Sequence, residues 1–467
     1  MKNTLYIILF AFLLTGCDDF LDVTPKGKVI PSEVKDYDLL LNGGSSTIHT
    51  TSDEDLLFLS ADDFYSDEGE LGDLNDPNNQ LLRIYRWEKE LFPDMVRVQM
   101  WENSYNSIYT YNLIIEEIEN ASITSTYTEE DVKQIKSEAR TVRAYEYWLL
   151  VNSFAKQYDA STASTDAGVP LVTVADASAK TNERASVKEV YDFLLTDLKE
   201  ALEFLPDVPE NKIRPTKATG YALLARIYLQ MGEYELARTN ATMALNIKNT
   251  LGDYTNMDLD ESELNASEQF MYRFYGYTRG FTNGYFSDDL VALYDLTNDM
   301  RVNRIAGEAV KWVYDPATGW QQVPTGKVAN LMSMDINHCV SVPEMYVIRA
   351  ECNARLSDGS LQEVIDDLNT LRNTRIVAYT DLTNLDITDK TEALKLTLEE
   401  RRREMVMTGM RWFDLKRLNK ESEHAITITH PLGDSNYTLL PNSSNYVFSI
   451  PIDVISFNPD MEQNVRE

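Results

Sequence analysis

The chain is short of cysteine, histidine and positive charge. Its 467 residues include three cysteines, four histidines, and 43 lysines and arginines against 75 aspartates and glutamates, for a formal net charge of −32. That balance argues against nucleic acid or anionic lipid as partners, since either would be repelled across a Debye length of about 8 Å. A neutral or cationic ligand is compatible with it. The histidines His49, His338, His424 and His430 form no helical zinc pair, and neither a Gly-x-Ser-x-Gly turn nor a phosphate-cradling glycine loop is present. The expectation is therefore no catalytic residue, no metal ligand and no cofactor. Carboxylates are abundant, yet abundance supplies none of the geometry of a glycosidase pair. The acidic run Asp62, Asp63, Asp67, Glu68, Glu70, Asp73 and Asp76 offers the hard oxygens calcium wants but lacks the EF-hand glycine, and reads as a solvated loop. The apolar run Leu5–Leu14 is about half of the roughly 20 residues a spanning helix needs. With 43% hydrophobic and 10% aromatic residues, the chain can still bury a large core.

What is present begins at the N-terminus, where Lys2 and the apolar run lead to Leu14-Thr15-Gly16-Cys17. This is the layout of an export signal, and the small residues before Cys17 resemble the lipobox of bacterial lipoproteins. Cys17 is the expected lipid anchor, since two or more acyl chains at about 0.8 kcal/mol per buried methylene hold a domain on a membrane. Cys339 and Cys352 are then the remaining cysteines, read as buried free thiols. The expected layout is a signal over 1–17, a tether over 18–30 and one domain over 31–467. Repeat helices fall at about 96–250 and 342–420, and irregular binding segments at about 50–95, 158–185 and 250–340.

The fold class expected is mainly α. Thr128 to Asp131, Ser186 to Glu189 and Ser360 to Glu363 each place a hydroxyl three residues before a carboxylate, the signature of a capped helix start. Helices are expected over 96–120 and 129–158, with minor strands over 425–429 and 446–450. Tyr221, Leu224, Ala225, Tyr228, Gly232, Ala237, Ala241 and Ala244 follow tetratricopeptide spacing, in which small residues let two antiparallel helices approach closely. Asn249 stands where the repeat has Pro, and a weaker echo runs from Tyr346 through Ala350 to Ile365. Glu399 and Arg403 are expected to pair across one turn, with Trp412 packed on the core.

Aromatic residues crowd the segment 270–294, where Tyr275, Tyr277, Phe281 and Tyr285 stand among Arg273, Arg279 and Asn283. Rings that stack on a sugar face, with amides or guanidinium groups fixing hydroxyls, form a ligand site; the alternative is a hairpin whose rings face the core. Trp312, Tyr314 and Trp320 follow in a second segment, and Trp87 lies beside Arg83 and Arg86. The expected ligand-binding residues are Trp87, Tyr275, Tyr277, Phe281, Tyr285, Trp312, Trp320, Arg83 and Arg279.

Motifs across the mature chain resemble the SusD/RagB family of nutrient-binding outer-membrane lipoproteins. They are Cys17-Asp-Asp-Phe-Leu-Asp, Gly168-Val-Pro-Leu-Val-Thr, Arg184 with Ser186, Thr216-Lys217-Ala218 and Leu223 to Leu229, then Asp299-Met-Arg301 and Glu344 with Ala350-Glu351. Glu400-Arg401-Arg402-Arg403-Glu404 leading to Arg411-Trp412-Phe413-Asp414 is the most distinctive, and Ile450-Pro451, Asn458-Pro459 and Gln463-Asn464 close the chain; Thr408 and Met410 depart from the family's Glu and His. The resemblance implies tetratricopeptide-like helices with an irregular ligand-binding half, anchoring in the outer membrane facing the cell surface, and a SusC-like TonB-dependent transporter as partner. It implies a glycan as ligand, with peptide as the alternative within the family and a glycoside hydrolase as the alternative outside it.

Overall fold

The computed structural model describes residues 31–43, 50–51, 54–66, 71, 73–76, 78–92, 97–124, 126–176, 183–256, 258, 267–275, 284–330 and 339–467. Helix α1 (Val34–Asn42) leads to strand β1 (Thr50–Thr51), helix α2 (Glu54–Ser60), strand β2 (Phe64–Tyr65) and helix α3 (Gln80–Tyr85). Five longer helices follow: α4 (Gln99–Glu117), α5 (Glu129–Phe154), α6 (Val187–Ala201), α7 (Lys217–Met231) and α8 (Tyr234–Ile247). Strands β3 (Phe274–Tyr275) and β4 (Tyr285–Phe286) and the short helices α9 (Asp288–Val291) and α10 (Met300–Ile305) precede the long strands β5 (Ala306–Asp315) and β6 (Gly319–Asn330). Helices α11 (Val342–Arg355), α12 (Leu361–Arg372), α13 (Lys390–Glu404) and α14 (Met410–Leu418), strands β7 (Ile428–Leu432) and β8 (Ser435–Leu439), and helix α15 (Ile452–Phe457) complete the chain. The protein is mainly α, as its periodicity leads one to expect.

The helices start where the caps lie. Thr128 Oγ1 accepts from the Asp131 amide at 3.3 Å while Asp131 Oδ2 accepts from the Thr128 amide at 2.7 Å, and Ser186 with Glu189 repeats this reciprocal box. Ser360 takes the Glu363 amide at 3.2 Å. Helices α4, α5, α6, α7, α8 and α11 pack successively against one another, and α12 and α13 both lie on α11. Within the α7/α8 pair Ala225, Ala237, Ala241 and Ala244 are fully buried. Gly232 turns the chain between them at φ +77°, and the Glu233 amide donates back to the Tyr228 carbonyl at 2.9 Å, the closure that suits a left-handed glycine. One apolar cluster runs from Val34 to Met461, with a satellite of Ala350, Val364, Ile365 and Leu368 between α11 and α12.

A 26-residue helix buried at its end must find partners for its last carbonyls. For α5 they come from distant segments. Lys416 Nζ donates to the carbonyls of Asn152 and Ala155, the Phe448 amide to Ser153 at 3.1 Å, and Asn464 Nδ2 to Phe154 at 2.7 Å. Arg184 donates to Gly168 at 2.7 Å beside them, and the Gln463 amide clamps both main-chain groups of Ile450 at 2.7 Å. Two motif positions, Arg184 and Asn464, thus donate to the last carbonyl of one helix, Phe154, at 3.4 and 2.7 Å.

The Asp299-Met-Arg301, Glu344, Glu351 and Glu400–Asp414 motifs form buried ion pairs. Arg301 binds Asp299 at 2.7 Å, Glu400 at 2.6 Å and Glu404 at 2.9 Å, while Arg375 joins Glu404 at 2.8 Å to Glu268 at 2.6 Å. Arg401 and Arg417 share Asp414, at 2.7 and 2.8 Å, and Arg226 holds Glu344. Burial alone would raise the Glu400 carboxyl, but Arg403, Arg301 and Arg372 hold it well below the usual carboxylate range. The expected Glu399–Arg403 pair is replaced: Arg403 reaches Glu400 at 2.6 Å, and Glu399 lies 3.9 Å from Lys395. Position 400, not 399, is on the buried side of α13. Trp412 is buried and stacks on Tyr446 and Phe448, at 4.8 and 5.5 Å.

Two expectations about strands are corrected. Ser444–Tyr446 is a 3-10 turn, not the start of a strand, and segment 306–330 is an antiparallel hairpin where irregular chain is expected. The signal for that hairpin is Asp315-Pro316-Ala317-Thr318-Gly319. Proline presets the turn, Asp315 takes the Thr318 amide on its carbonyl at 3.2 Å and the Ala317 amide on its side chain at 2.7 Å, and Gly319 closes it at φ +81°. Strands β5 and β6 extend a four-stranded sheet ordered β2-β4-β6-β5.

Candidate functional site

The sheet splits into a packed base and a free ribbon. At the base Phe64 and Phe286 are buried against each other at 5.1 Å, and on the neighbouring rung the Tyr65 and Tyr285 rings lie 5.5 Å apart. Lys327 of β6 holds its ammonium 4.4 Å over the Tyr285 ring and 5.0 Å over Tyr65, a cation on the electron-rich faces of two phenols. The Ser287 amide donates to the Asp63 carbonyl at 2.8 Å, tying β4 to β2.

Beyond the base the ribbon leaves the body. The register pairs Val310 with Pro324, position 312 with Gln322, and Tyr314 with Trp320, so these positions share one face by alternation. Tyr314 and Trp320 are 58% and 66% exposed, and their rings meet at 5.3 Å with a 62° angle between planes. Two large rings held against each other across a ladder, both open to water, are an uncommon use of aromatic surface. Val313 and Val323 are exposed on the opposite face. Gln322 is exposed on the face of the rings by register; Gln321 pairs with Val313 on the other face, and its Nε2 donates to Thr318 Oγ1 at 2.5 Å.

Of the residues expected to bind ligand, Trp320 lies on this surface, and position 312 falls on the same face by register, its side chain lying outside the described residues. Tyr285 belongs to the base, 8% exposed, with Lys327 covering one ring face. Tyr275 is placed by its backbone, beside Thr51 in the parallel pair β1/β3, while Tyr277, Arg279 and Phe281 lie outside the described residues on the segment joining β3 to β4. The anchor Cys17 lies outside them as well.

Trp87 is a correction. It is 3% exposed, stacks on His430 at 4.1 Å and donates Nε1–H to the Ser60 carbonyl at 3.1 Å, so neither ring face is open to a ligand. His430 is sandwiched between Trp87 and Tyr85, and burial pushes its imidazole down to about 4. Arg83 is turned to its own loop, donating to the Glu90 carbonyl at 2.8 Å. Asp62 and Asp63 are likewise occupied: Arg411 holds Asp62 at 2.7 Å and Arg402 holds Asp63 at 2.8 Å. Tyr314, Tyr65 and Lys327 were not among the expected site residues. Alternation of Val310, Trp312 and Tyr314 before an Asp-Pro-x-x-Gly turn is the signal that finds Tyr314; nothing local marks Lys327, whose role comes from strand pairing.

A cavity of about 560 Å³ lies elsewhere, around the end of α5, lined in part by Lys156, Arg184, Lys416, Asn419, Tyr446 and Gln463. Its inner cations are engaged by main-chain carbonyls, and Lys416 is pushed down to about 7 by burial. That wall is the helix cap already described. Cys339 and Cys352 are free and buried, and burial pushes the Cys339 thiol up to about 11. Among the described residues no helix is long and apolar enough to cross a membrane.

Comparison with known proteins places this geometry. Residues 19–229 match the family model described as starch-binding associating with outer membrane, and residues 342–466 match that of the SusD family. The curated relative SusD-like protein P2 of Formosa agariphila is 28% identical over 255 residues, 52% of this chain; the match spans 46% of that relative, under half its length. A SusD superfamily protein from Bacteroides thetaiotaomicron superposes with a TM-score of 0.73 at 21% identity, covering 93% of this chain and 100% of the other. A laminarin binding SusD-like protein superposes with a TM-score of 0.64 at 16% identity, over 93% of this chain and 99% of its own.

Proposed function

The chain belongs to the SusD/RagB family, and from that premise we propose that it captures an oligo- or polysaccharide on the β5/β6 ribbon without cleaving it. Cys17 carries the lipid that holds it on the outer membrane facing outward, and a SusC-like TonB-dependent transporter receives the ligand.

The observation that carries this reading is the exposed pair Tyr314 and Trp320. A sugar ring is amphipathic: its axial C–H groups stack on an aromatic face while its hydroxyls bond side-chain amides, and Gln322 shares the face of the pair by register. A neutral glycan also meets no repulsion from a chain of charge −32. The peptide alternative has one observation in its favour, since among the described residues β5 is the outer strand of its sheet, and such an edge suits strand addition.

Calorimetry of the full-length chain against laminarin, starch and a mixed peptide library tests the reading. Laminarin or starch binds without product release, and Trp320→Ala weakens that binding about tenfold, about 1.4 kcal/mol, with unfolding unchanged because the side chain is exposed. Peptide binding with no glycan signal would replace the substrate; release of reducing ends would replace capture by hydrolysis.

A further inference from the structure

The β5/β6 ladder is interrupted at one place, between its base and its aromatic arm. Glu308 pairs with Val328 and Val310 with Pro324, so one residue on β5, Ala309, faces three on β6, Thr325, Gly326 and Lys327. Two residues of β6 are therefore in excess, and the break has the chemistry of a joint. Pro324 has no amide hydrogen to give the ladder. Thr325 replaces a main-chain donor with its hydroxyl, which donates to the Ala309 carbonyl at 2.8 Å. Gly326 adopts φ +71°, a conformation that disfavours any side chain, and nothing lies within 4 Å of where a Cβ would stand.

The two sides of this break differ in how they are held. Below it Val328 packs on the core, Lys327 lies on the two phenol rings, and Ala329 pairs with Tyr285 of β4. Above it, residues 313–318 and 320–324 are all exposed, and among the described residues no third strand joins the ladder. A two-stranded ribbon open on both faces is marginal in water and gains stability when something covers it.

We infer that the arm of residues 310–324 turns as one unit about the Ala309/Thr325–Lys327 bulge and closes its Tyr314–Trp320 face onto the bound glycan. This rests on the glycan reading for what the arm closes upon, and on the bulge alone for the fact that it turns. The base stays fixed while Gly326 takes up the backbone rotation. Closure covers the exposed Tyr314–Trp320 face, so ligand and arm order each other.

Spin labels at Ala317→Cys, on the arm tip, and Asp207→Cys, on the body, read the distance distribution in the full-length chain, with laminarin as the probe. Deleting Thr325 and Gly326 leaves Ala309 opposite Lys327 and restores a continuous ladder; Gly326→Ala, which disfavours the left-handed backbone without changing length, serves if the deletion folds poorly. The inference expects a broad distribution in the parent chain that sharpens with laminarin, a sharp one in either variant without ligand, and laminarin affinity about tenfold weaker in the deletion variant. A parent distribution as sharp as the deletion variant's overturns the hinge. A broad distribution that saturating laminarin leaves unchanged overturns the closure. Calorimetry on the same samples, with laminarin and with starch, separates the premise: an arm that moves in a protein with affinity for neither refutes the glycan and supports the joint.

Discussion

Trp87 holds a left-handed backbone at φ +52°, a strained conformation for a bulky residue. It is kept there by the His430 stack, the Ser60 carbonyl and the Asn445 side chain, whose Nδ2 donates to the Trp87 carbonyl at 3.1 Å. Trp87→Ala is expected to lower unfolding stability by about 3–5 kcal/mol in a denaturant titration, the opposite profile to Trp320→Ala, which spares stability and weakens binding. A loss of glycan affinity from Trp87→Ala at full stability would return this residue to the site. Glu146 offers a second test at this scale. Burial pushes its carboxyl up to about 7, against the pull of Arg273 and of the Ser104 hydroxyl that donates to it at 2.9 Å. A carboxyl raised in the folded state binds its proton more tightly there than in the unfolded chain, so its contribution is full at low pH and is lost as pH rises from about 4.5 through 7. Glu146→Gln removes that dependence and should gain on the order of 3 kcal/mol over the parent at pH 8, read as a higher Tm; a lower Tm at pH 8 would show that Glu146 serves as the counter-ion of Arg273.

Elements were legible where their signals are local. Thr128, Ser186 and Ser360 mark helix starts because a cap needs only a hydroxyl and an amide three residues on. Gly232 marks a turn because only its backbone sits comfortably at φ +77°. The β5/β6 hairpin went unread for the opposite reason: tryptophan and tyrosine occur in loops, cores and strands alike, so their density drew attention while the short Asp315-Pro-Ala-Thr-Gly turn that sets the register did not. The end of α5 was illegible in principle, since nothing near residue 154 says that Lys416, Phe448 and Asn464 will meet it. That element carries its own prediction. Asn464 Nδ2 spans the carbonyls of Phe154 and Phe448, at 2.7 Å each, and Asn464→Ala leaves both without that donor at about 1–3 kcal/mol, to be measured as a loss of stability with laminarin affinity unchanged.

Over the whole molecule, family motifs and binding residues separate. Arg184, Asp299, Arg301, Glu400, Arg403, Gln463 and Asn464 are occupied with caps and buried ion pairs, so a reading built on motifs recovers the scaffold and is silent about the ligand. The residues proposed to meet a glycan stand on a ribbon whose sequence answers to no such constraint. Tyr285 shows how close the two can come, since its ring belongs to the base while its strand neighbour is the ribbon itself.

The end of α5 has a consequence in time. Ribosomes deliver residues 129–154 long before Phe448 and Asn464 exist, so during synthesis this helix emerges with its closing carbonyls bare. The first third of the protein therefore waits on its final segment, and a product cut short before Phe448 is left with a frayed terminus that proteases can recognise. Completion of the chain, in this architecture, is itself the act that seals the scaffold.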